Sequence, residues 1–229
     1  MRDKKKSNWL LDLLYIVVAV LFIRAYVIQA YKIPTGSMED TLLIGDFLFA
    51  TKFNFGLQVP FQNKMVFKWS RPKRGEIIIF KYPLEHKDFV KRCVAIAGDT
   101  VEIRNKVLYV NGERVDEPYV VHKDRRMFPP LEVNDLKRYQ KLWEDDNFLN
   151  AGGYVRDNFG PVEVPEGTVF LMGDNRDNSY DSRYWGPLPY DNLRGRPFMI
   201  HWSWEKGIPM YKLMRKIRWD RIGMIVTSI

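Results

Sequence analysis

The chain is poor in the residues that staple or metallate domains. It has one cysteine, Cys93, which excludes an internal disulfide and leaves the redox compartment open. Its three histidines, His86, His122 and His201, stand far apart, and no Cys/His spacing resembles a zinc site. No metal and no other cofactor is therefore expected. Internal repeats are lacking too. Positive charge is in excess, +8 net, yet the body of the chain has none of that excess. Residues 1–8 carry +3, from Arg2, Lys4, Lys5 and Lys6 against Asp3, residues 206–229 carry +5, and everything between is neutral. A neutral body with two basic ends argues against a nucleic-acid partner and for attraction to an anionic membrane surface.

What is present first is a long apolar run, Trp9 to Ala30. Within it Leu13 to Ile23 is eleven residues without a charge, and Trp9 to Ile28 makes twenty residues, long enough to cross a bilayer as a helix. Asp12 and Arg24 interrupt it near its ends, where side chains reach the interface. At the bilayer centre each would cost about 2.5–3.5 kcal/mol. Trp9 and Tyr26 suit interfacial positions. No pair of small residues follows the run, so it is expected to remain as an anchor and not to be removed. The basic residues precede it, which predicts a cytoplasmic tail over 1–8, a transmembrane helix over 9–30 and an exported remainder.

The remainder reads as mainly β. Strand patterns recur at Ile44–Thr51, in EIIIFKY, in FVKRCVAIAGD, in TVFLMGD and in PFMIHWSW. Val101–Val115 predicts a β-ribbon with turns at Asn105 and Asn111-Gly112. Residues 116–165 are more polar. They hold one short helix near Asp135–Asp145, with Leu136, Tyr139 and Trp143 on one face. The expected layout is a main β-domain over 31–104 and 166–229, interrupted by an inserted ribbon and cap over 105–165. The stretch Lys52–Ser70 mixes Phe53, Phe55, Phe61, Phe67 and Trp69 with lysines. It reads either as a loop folded onto the core or as a surface dipping into lipid headgroups. Met210, Leu213, Met214 and Ile217 fall at helical spacing opposite Lys212, Arg215 and Lys216, a basic amphipathic helix.

Ser37 lies in IPTGSMEDTLLIGD, just past the apolar run, where Pro34 and Gly36 favour a turn that presents a hydroxyl. The question is what takes its proton. The glycines of a nucleophile elbow are missing, since Thr35 and Glu39 occupy those positions, and Asp40 stands where a penicillin-binding enzyme has lysine. Each histidine has an ordinary explanation in loop, insertion or strand. Lys91 is different, because it sits in FVKRCVAIA among apolar neighbours. Alternation places Phe89, Lys91 and Cys93 on one face and Val90, Arg92 and Val94 on the other. If that first face is inward, desolvation favours the free amine, by up to about 3–5 pKa units when burial is complete. If it is outward, Lys91 is an ordinary solvated lysine.

Read together, PTGSMEDTLLIGD, RGEIIIFKYP, FVKRCVAIAGD and GDNRDNSYDSRYWG, in this order behind an anchor, resemble the conserved boxes of bacterial type I signal peptidases. The similarity runs from the anchor to Ile200. It implies a signal-peptidase-type β-domain and a membrane-anchored serine endopeptidase that cuts exported preproteins after a small-x-small site. It implies Ser37 as nucleophile and Lys91 as general base. Thr35 matches the oxyanion-hole hydroxyl and Ser179 the hydroxyl that orients the lysine. Asp181, Arg183 and Arg92 match supporting positions. Tyr31, Ile33, Pro34, Met38, Leu42, Ile79, Phe89 and Val90 match the substrate pocket. One departure is visible: Asp40 stands where the family usually has proline, and a local change, such as a turn or helix cap, is expected there. The partners implied are preprotein signal peptides and the lipid bilayer, at the bacterial inner membrane with the catalytic domain outside. Other Ser–Lys peptidases of the same fold, such as pilin-processing enzymes or self-cleaving repressors, are disfavoured by the Asp-rich box and by the anchor respectively. A catalytically inactive anchored paralogue that binds preproteins is the remaining alternative; loss of Ser37 or Lys91 would mark it, and both are present.

Overall fold

The structure is a computed structural model that describes residues 8–59, 65–85, 87–131, 135–145, 148 and 152–227. The expectations for Arg2, Asp3, Lys4, Lys5, Lys6, Phe61 and His86 lie outside the described residues. Helix α1 (Trp9–Tyr26) is followed by β1 (Ile28–Lys32), β2 (Asp46–Thr51), β3 (Leu57–Gln58), β4 (Met65–Val66), β5 (Ile77–Lys81) and β6 (Asp88–Ile96). Then come β7 (Thr100–Arg104), β8 (Val107–Val110), β9 (Glu113–Arg114), α2 (Leu136–Glu144) and β10 (Phe159–Glu163). The chain ends with β11 (Thr168–Met172), α3 (Ser182–Trp185), β12 (Leu188–Pro189), β13 (Leu193–Ser203) and α4 (Leu213–Lys216).

The protein is mainly β, as its alternating patterns predict. Seven strands form one antiparallel sheet in the order β1-β2-β13-β5-β6-β11-β12. Strand β13 holds its two halves together, pairing with β2 through Arg196–Ser203 and with β5 through Leu193 and Gly195. Gly195 permits that crossing, because a Cβ there would overlap the Thr51 carbonyl oxygen. The ribbon strands form a second sheet, β10-β7-β8-β9. Its turns are of the mirror-image hairpin kind. Asn105 and Lys106 (φ 50° and 70°) and Asn111 and Gly112 (φ 55° and 80°) all take positive φ, as a two-residue hairpin with right-handed strand twist requires.

Three apolar clusters knit these parts together. One joins Val94, Ala95, Phe170 and Met172 of the large sheet to Val101, Ile103 and Phe159 of the ribbon and to Tyr139 and Trp143 of α2. A second gathers Phe55, Met65, Phe80, Cys93 and Trp185, and a third Ile33, Met38, Leu42, Leu48 and Ile79. Strand β6 touches all three: the first through Val94 and Ala95, the second through Phe89 and Cys93, and the third through Val90. With both its faces covered, alternation along β6 does not mark one side as solvent-facing.

Several local expectations change. The apolar helix stops at Tyr26, short of Ala30, because Ile28, Gln29 and Ala30 already pair with Thr51, Ala50 and Phe49. Strands β7 and β8 are the ribbon that Val101–Val115 predicts, so the ribbon sheet begins ahead of the boundary drawn at residue 105. On α2, Tyr139 and Trp143 are buried but Leu136 is exposed. Asp135 caps that helix by accepting from the Lys137 and Arg138 amides. The stretch after β2 divides: Phe55 and Met65 enter the core, while Phe53, Phe67 and Trp69 face outward. The C-terminal amphipathic helix is a single short turn. Met210, Leu213 and Met214 are exposed, while Lys216 is buried and donates to the Ile208 carbonyl at 2.5 Å. The hydrogen-bonding reach of Lys216 overrides the simple periodic reading.

Candidate active site

Ser37 sits in a turn that follows β1, and that turn is docked on the loop after β11. The Asn175 amide donates to the Ser37 carbonyl at 3.1 Å, and the Asn175 side chain donates to Gly36 O at 3.2 Å and Glu39 Oε2 at 3.1 Å. Gly173 makes the approach possible, since a Cβ on it would overlap both the Ser37 carbonyl and the Ser179 hydroxyl. Asp40, in the same turn, has φ 73°. Aspartate tolerates this left-handed conformation and proline cannot adopt it, so the departure at this position is a backbone change.

Strand β6 delivers Lys91 to the same place. Its Nζ donates to Ser37 Oγ at 2.5 Å, with Lys91 2% and Ser37 9% exposed. Burial pushes the lysine ammonium down to about 8. The negative Asp181 works against that shift and the positive Arg183 works with it. These two form a buried pair: Arg183 Nε and Nη2 each donate to the Asp181 carboxylate at 2.8 Å. The pair carries no net charge, which leaves desolvation in command of Lys91. Burial would raise the Asp181 carboxyl, but Arg183 and the Ser179 hydroxyl outweigh it and hold Asp181 below its ordinary value. Ser179 Oγ also accepts from the Gly173 amide at 3.1 Å, as does Asp181 at 3.2 Å.

Arg92, the next residue on β6, turns to the other side. It donates twice to Asp174, at 2.9 and 2.7 Å, and once to Gly75 O at 2.8 Å, and it lies 3.7 Å from the centre of the Tyr119 ring. Thr41 Oγ1 donates to Asp174 at 2.6 Å. Asp174 thus links β6 to the far end of the nucleophile turn. A further brace comes from the ribbon tip, where Lys106 Nζ donates to Asp177 Oδ1 at 2.9 Å and to Asp124 O at 2.7 Å.

Two cavities meet at Ser37. One, of about 490 Å³, is lined by Tyr31, Ile33, Pro34, Met38, Phe89 and Val90 among others. Leu42 and Ile79 do not line it; they are fully buried behind it, in the cluster that holds Ile33 and Met38. Thr35 is exposed and borders both cavities. The second, of about 480 Å³, holds Lys91, Ser179, Asp177, Asn178, Tyr180 and Tyr184. The described histidines lie in other settings: His122 is 3.5 Å from Asp177, and His201 stacks on Phe49. Among the described residues no group of carboxylate, histidine and cysteine side chains is placed to hold a metal ion.

A family model described as signal peptidase, peptidase S26, matches residues 6–202. The chain belongs to that family. Among similar proteins, the signal peptidase I of Aquifex aeolicus is 38% identical over 232 residues, covering 85% of this chain and 83% of its own. That of Pseudomonas aeruginosa is 34% identical over 225 residues, covering 92% of this chain and 76% of its own. A crystal structure of a signal peptidase I from Enterococcus faecalis V583 is 29% identical, covering 56% of this chain and 97% of that one, with a TM-score of 0.39. As a member of the signal peptidase family the chain is a serine endopeptidase.

Sequence reasoning named the charged and hydroxyl groups of this signal peptidase site but missed Gly173, Asp174 and Asn175, which dock the nucleophile turn. The signal was present: all three open the GDNRDNSYDSR segment that carries Ser179, Asp181 and Arg183.

Proposed function

We propose that the chain removes signal peptides from exported preproteins with Ser37 as nucleophile and Lys91 as general base. The free Lys91 amine accepts the Ser37 hydroxyl proton as Oγ attacks the scissile carbonyl. It then gives that proton to the departing amine, and an acyl-enzyme on Ser37 remains. Lys91 next takes a proton from water as the water oxygen bonds to the acyl carbon, and returns that proton to Ser37 Oγ as the ester bond breaks, which frees the acyl product and restores the amine. Thr35, at the rim beside Ser37, supplies a hydroxyl to the developing oxyanion; such donors contribute about 3–4 kcal/mol. Ser179 directs its own proton to Asp181, so its oxygen is free to accept from Lys91 once the amine is charged. Asp181, Arg183 and Arg92 hold the loop and strand in place.

Tyr31, Ile33, Pro34, Met38, Phe89 and Val90 form shallow apolar walls that accept alanine-sized side chains, with Leu42 and Ile79 packing behind them. Pocket fit of this kind discriminates by about 1–3 kcal/mol per methylene-scale mismatch. Helix α1 has 18 residues, about 27 Å at the helical rise, and none is buried against the protein, which suits a membrane span. The basic residues ahead of it favour a cytoplasmic N-terminus and an outer catalytic domain. Holding enzyme and preprotein at one bilayer raises their effective concentration.

The observation that carries this reading is the 2.5 Å pairing of Ser37 Oγ with a fully buried Lys91 amine. Cleavage of a purified model preprotein tests it. Ser37→Ala and Lys91→Ala are each expected to abolish turnover while the fold is retained by circular dichroism, and His201→Gln to keep it. Cleavage by Lys91→Ala at the wild-type rate would reject the mechanism.

A further inference from the structure

The two cavities that meet at Ser37 are not equivalent, and the difference fixes the direction of a bound chain. Lys91 lines the second cavity and not the first. On the Ser–Lys reading above, on which this inference rests, the leaving amine must take its proton from Lys91, so that amine lies on the second cavity's side of Ser37. The residues it belongs to are the first of the mature protein. A chain running the other way would place its leaving amine in the apolar first cavity, away from the base.

The second cavity is built to hold such a segment. Its volume of about 480 Å³ falls within the roughly 300–1,000 Å³ of small-ligand sites, enough for a few residues. One wall is aromatic: the Tyr180 and Tyr184 rings stack with centroids 5.4 Å apart. Tyr184 is half-buried, whereas Tyr180 is 44% exposed and borders both cavities, so it stands where a chain crosses from one to the other. Asn178 is exposed beside it, with an amide able to pair with an extended backbone. Asp177 is held by Lys106, so the cavity floor is a paired ion and not a free charge. Flat rings with polar tips and a side-chain amide suit an extended, uncharged peptide segment.

We propose that this second cavity binds the first residues of the mature chain and that Tyr180 is the residue that sets its contribution to substrate choice. The test uses two peptides with the same signal-side sequence. One ends as an amide one residue after the cut; the other continues for three more uncharged residues. The full chain in detergent is expected to show kcat/KM roughly tenfold higher for the longer peptide, the gain of one well-placed anchor. In Tyr180→Ala that ratio is expected to fall below about threefold, and in Tyr180→Phe, which keeps the ring, to stay near the wild-type value. Asn178→Ala, at an exposed position, is expected to lower the ratio by a smaller factor and serves if Tyr180→Ala does not fold. Wild-type enzyme that cuts both peptides equally well through Ser37 would overturn this inference and leave the proposed mechanism standing. So would a Tyr180→Ala enzyme with the full ratio, or one that loses the same factor on both peptides, which would assign Tyr180 to the signal side. Cleavage that survives Ser37→Ala would instead remove the mechanism itself.

Discussion

A lysine acts as a base only while its amine is free. With the ordinary value near 10.4, roughly one amine in two thousand is free at pH 7. With Lys91 brought down to about 8 by burial, roughly one in ten is free, a gain of two to three orders of magnitude in active enzyme. The shift costs the protein a buried cationic group, and the neutral Asp181–Arg183 pair beside it neither restores the charge nor adds a second one. The sign of the pH dependence follows. Protonation removes the base, so kcat/KM is expected to rise about tenfold per pH unit below 8 and to level off above it. Initial rates on a peptide substrate between pH 5 and 10 check this, and a flat profile down to pH 5 would contradict the assignment of Lys91.

At the scale of elements, the site is a turn pressed against a loop and a strand, and the fit depends on backbone shape as much as on side chains. Gly173 lets the loop approach, Asp174 ties β6 to Thr41, and Asn175 holds the two carbonyls of Gly36 and Ser37. Asp40 turns the chain between Ser37 and Thr41 with φ 73°. Proline, the usual residue of the family here, fixes φ near −65° and would force the turn apart. Asp40→Pro is therefore expected to cost on the order of 1–3 kcal/mol and to slow cleavage sharply, while Asp40→Gly stays within about 1 kcal/mol of the parent. Urea midpoints together with initial rates check both. Equal stability of the proline variant would mean that the turn can take the ordinary family shape.

At the scale of the whole molecule, the apolar helix α1 is expected to be separable from the catalytic body. No residue of α1 is buried, and β1 is secured by its own pairing with β2 and by the Lys52 amide, which donates to Val27 O at 3.0 Å. Deletion of residues 1–26 is expected to leave a folded enzyme that cleaves short peptides within about threefold of the full chain. Cleavage of a preprotein embedded in vesicles should fall by an order of magnitude or more, because co-localisation is lost. Parallel assays on a peptide and on vesicle-bound preprotein measure the two effects, and equal loss in both would show that α1 supports the active site itself.

The sequence by itself determined the long apolar N-terminal helix, the β class and most strands, because apolar run length and alternation are local properties. It determined the ribbon turns as well, since Asn-Gly carries its backbone preference with it. It also supplied Ser37, Lys91, Ser179, Asp181 and Arg183 as candidates, through four segments read in order. Only the tertiary structure decided that Lys91 is dry. Along β6 both edges are paired, by β5 and β11, and both faces are covered, by the ribbon and α2 in one place and by the nucleophile turn in another, most of which are distant in sequence. Likewise only the packed structure distinguished Ile33 and Met38, on the cavity wall, from Leu42 and Ile79, behind it. Local pattern records what a residue is; whether water reaches it depends on everything folded against it.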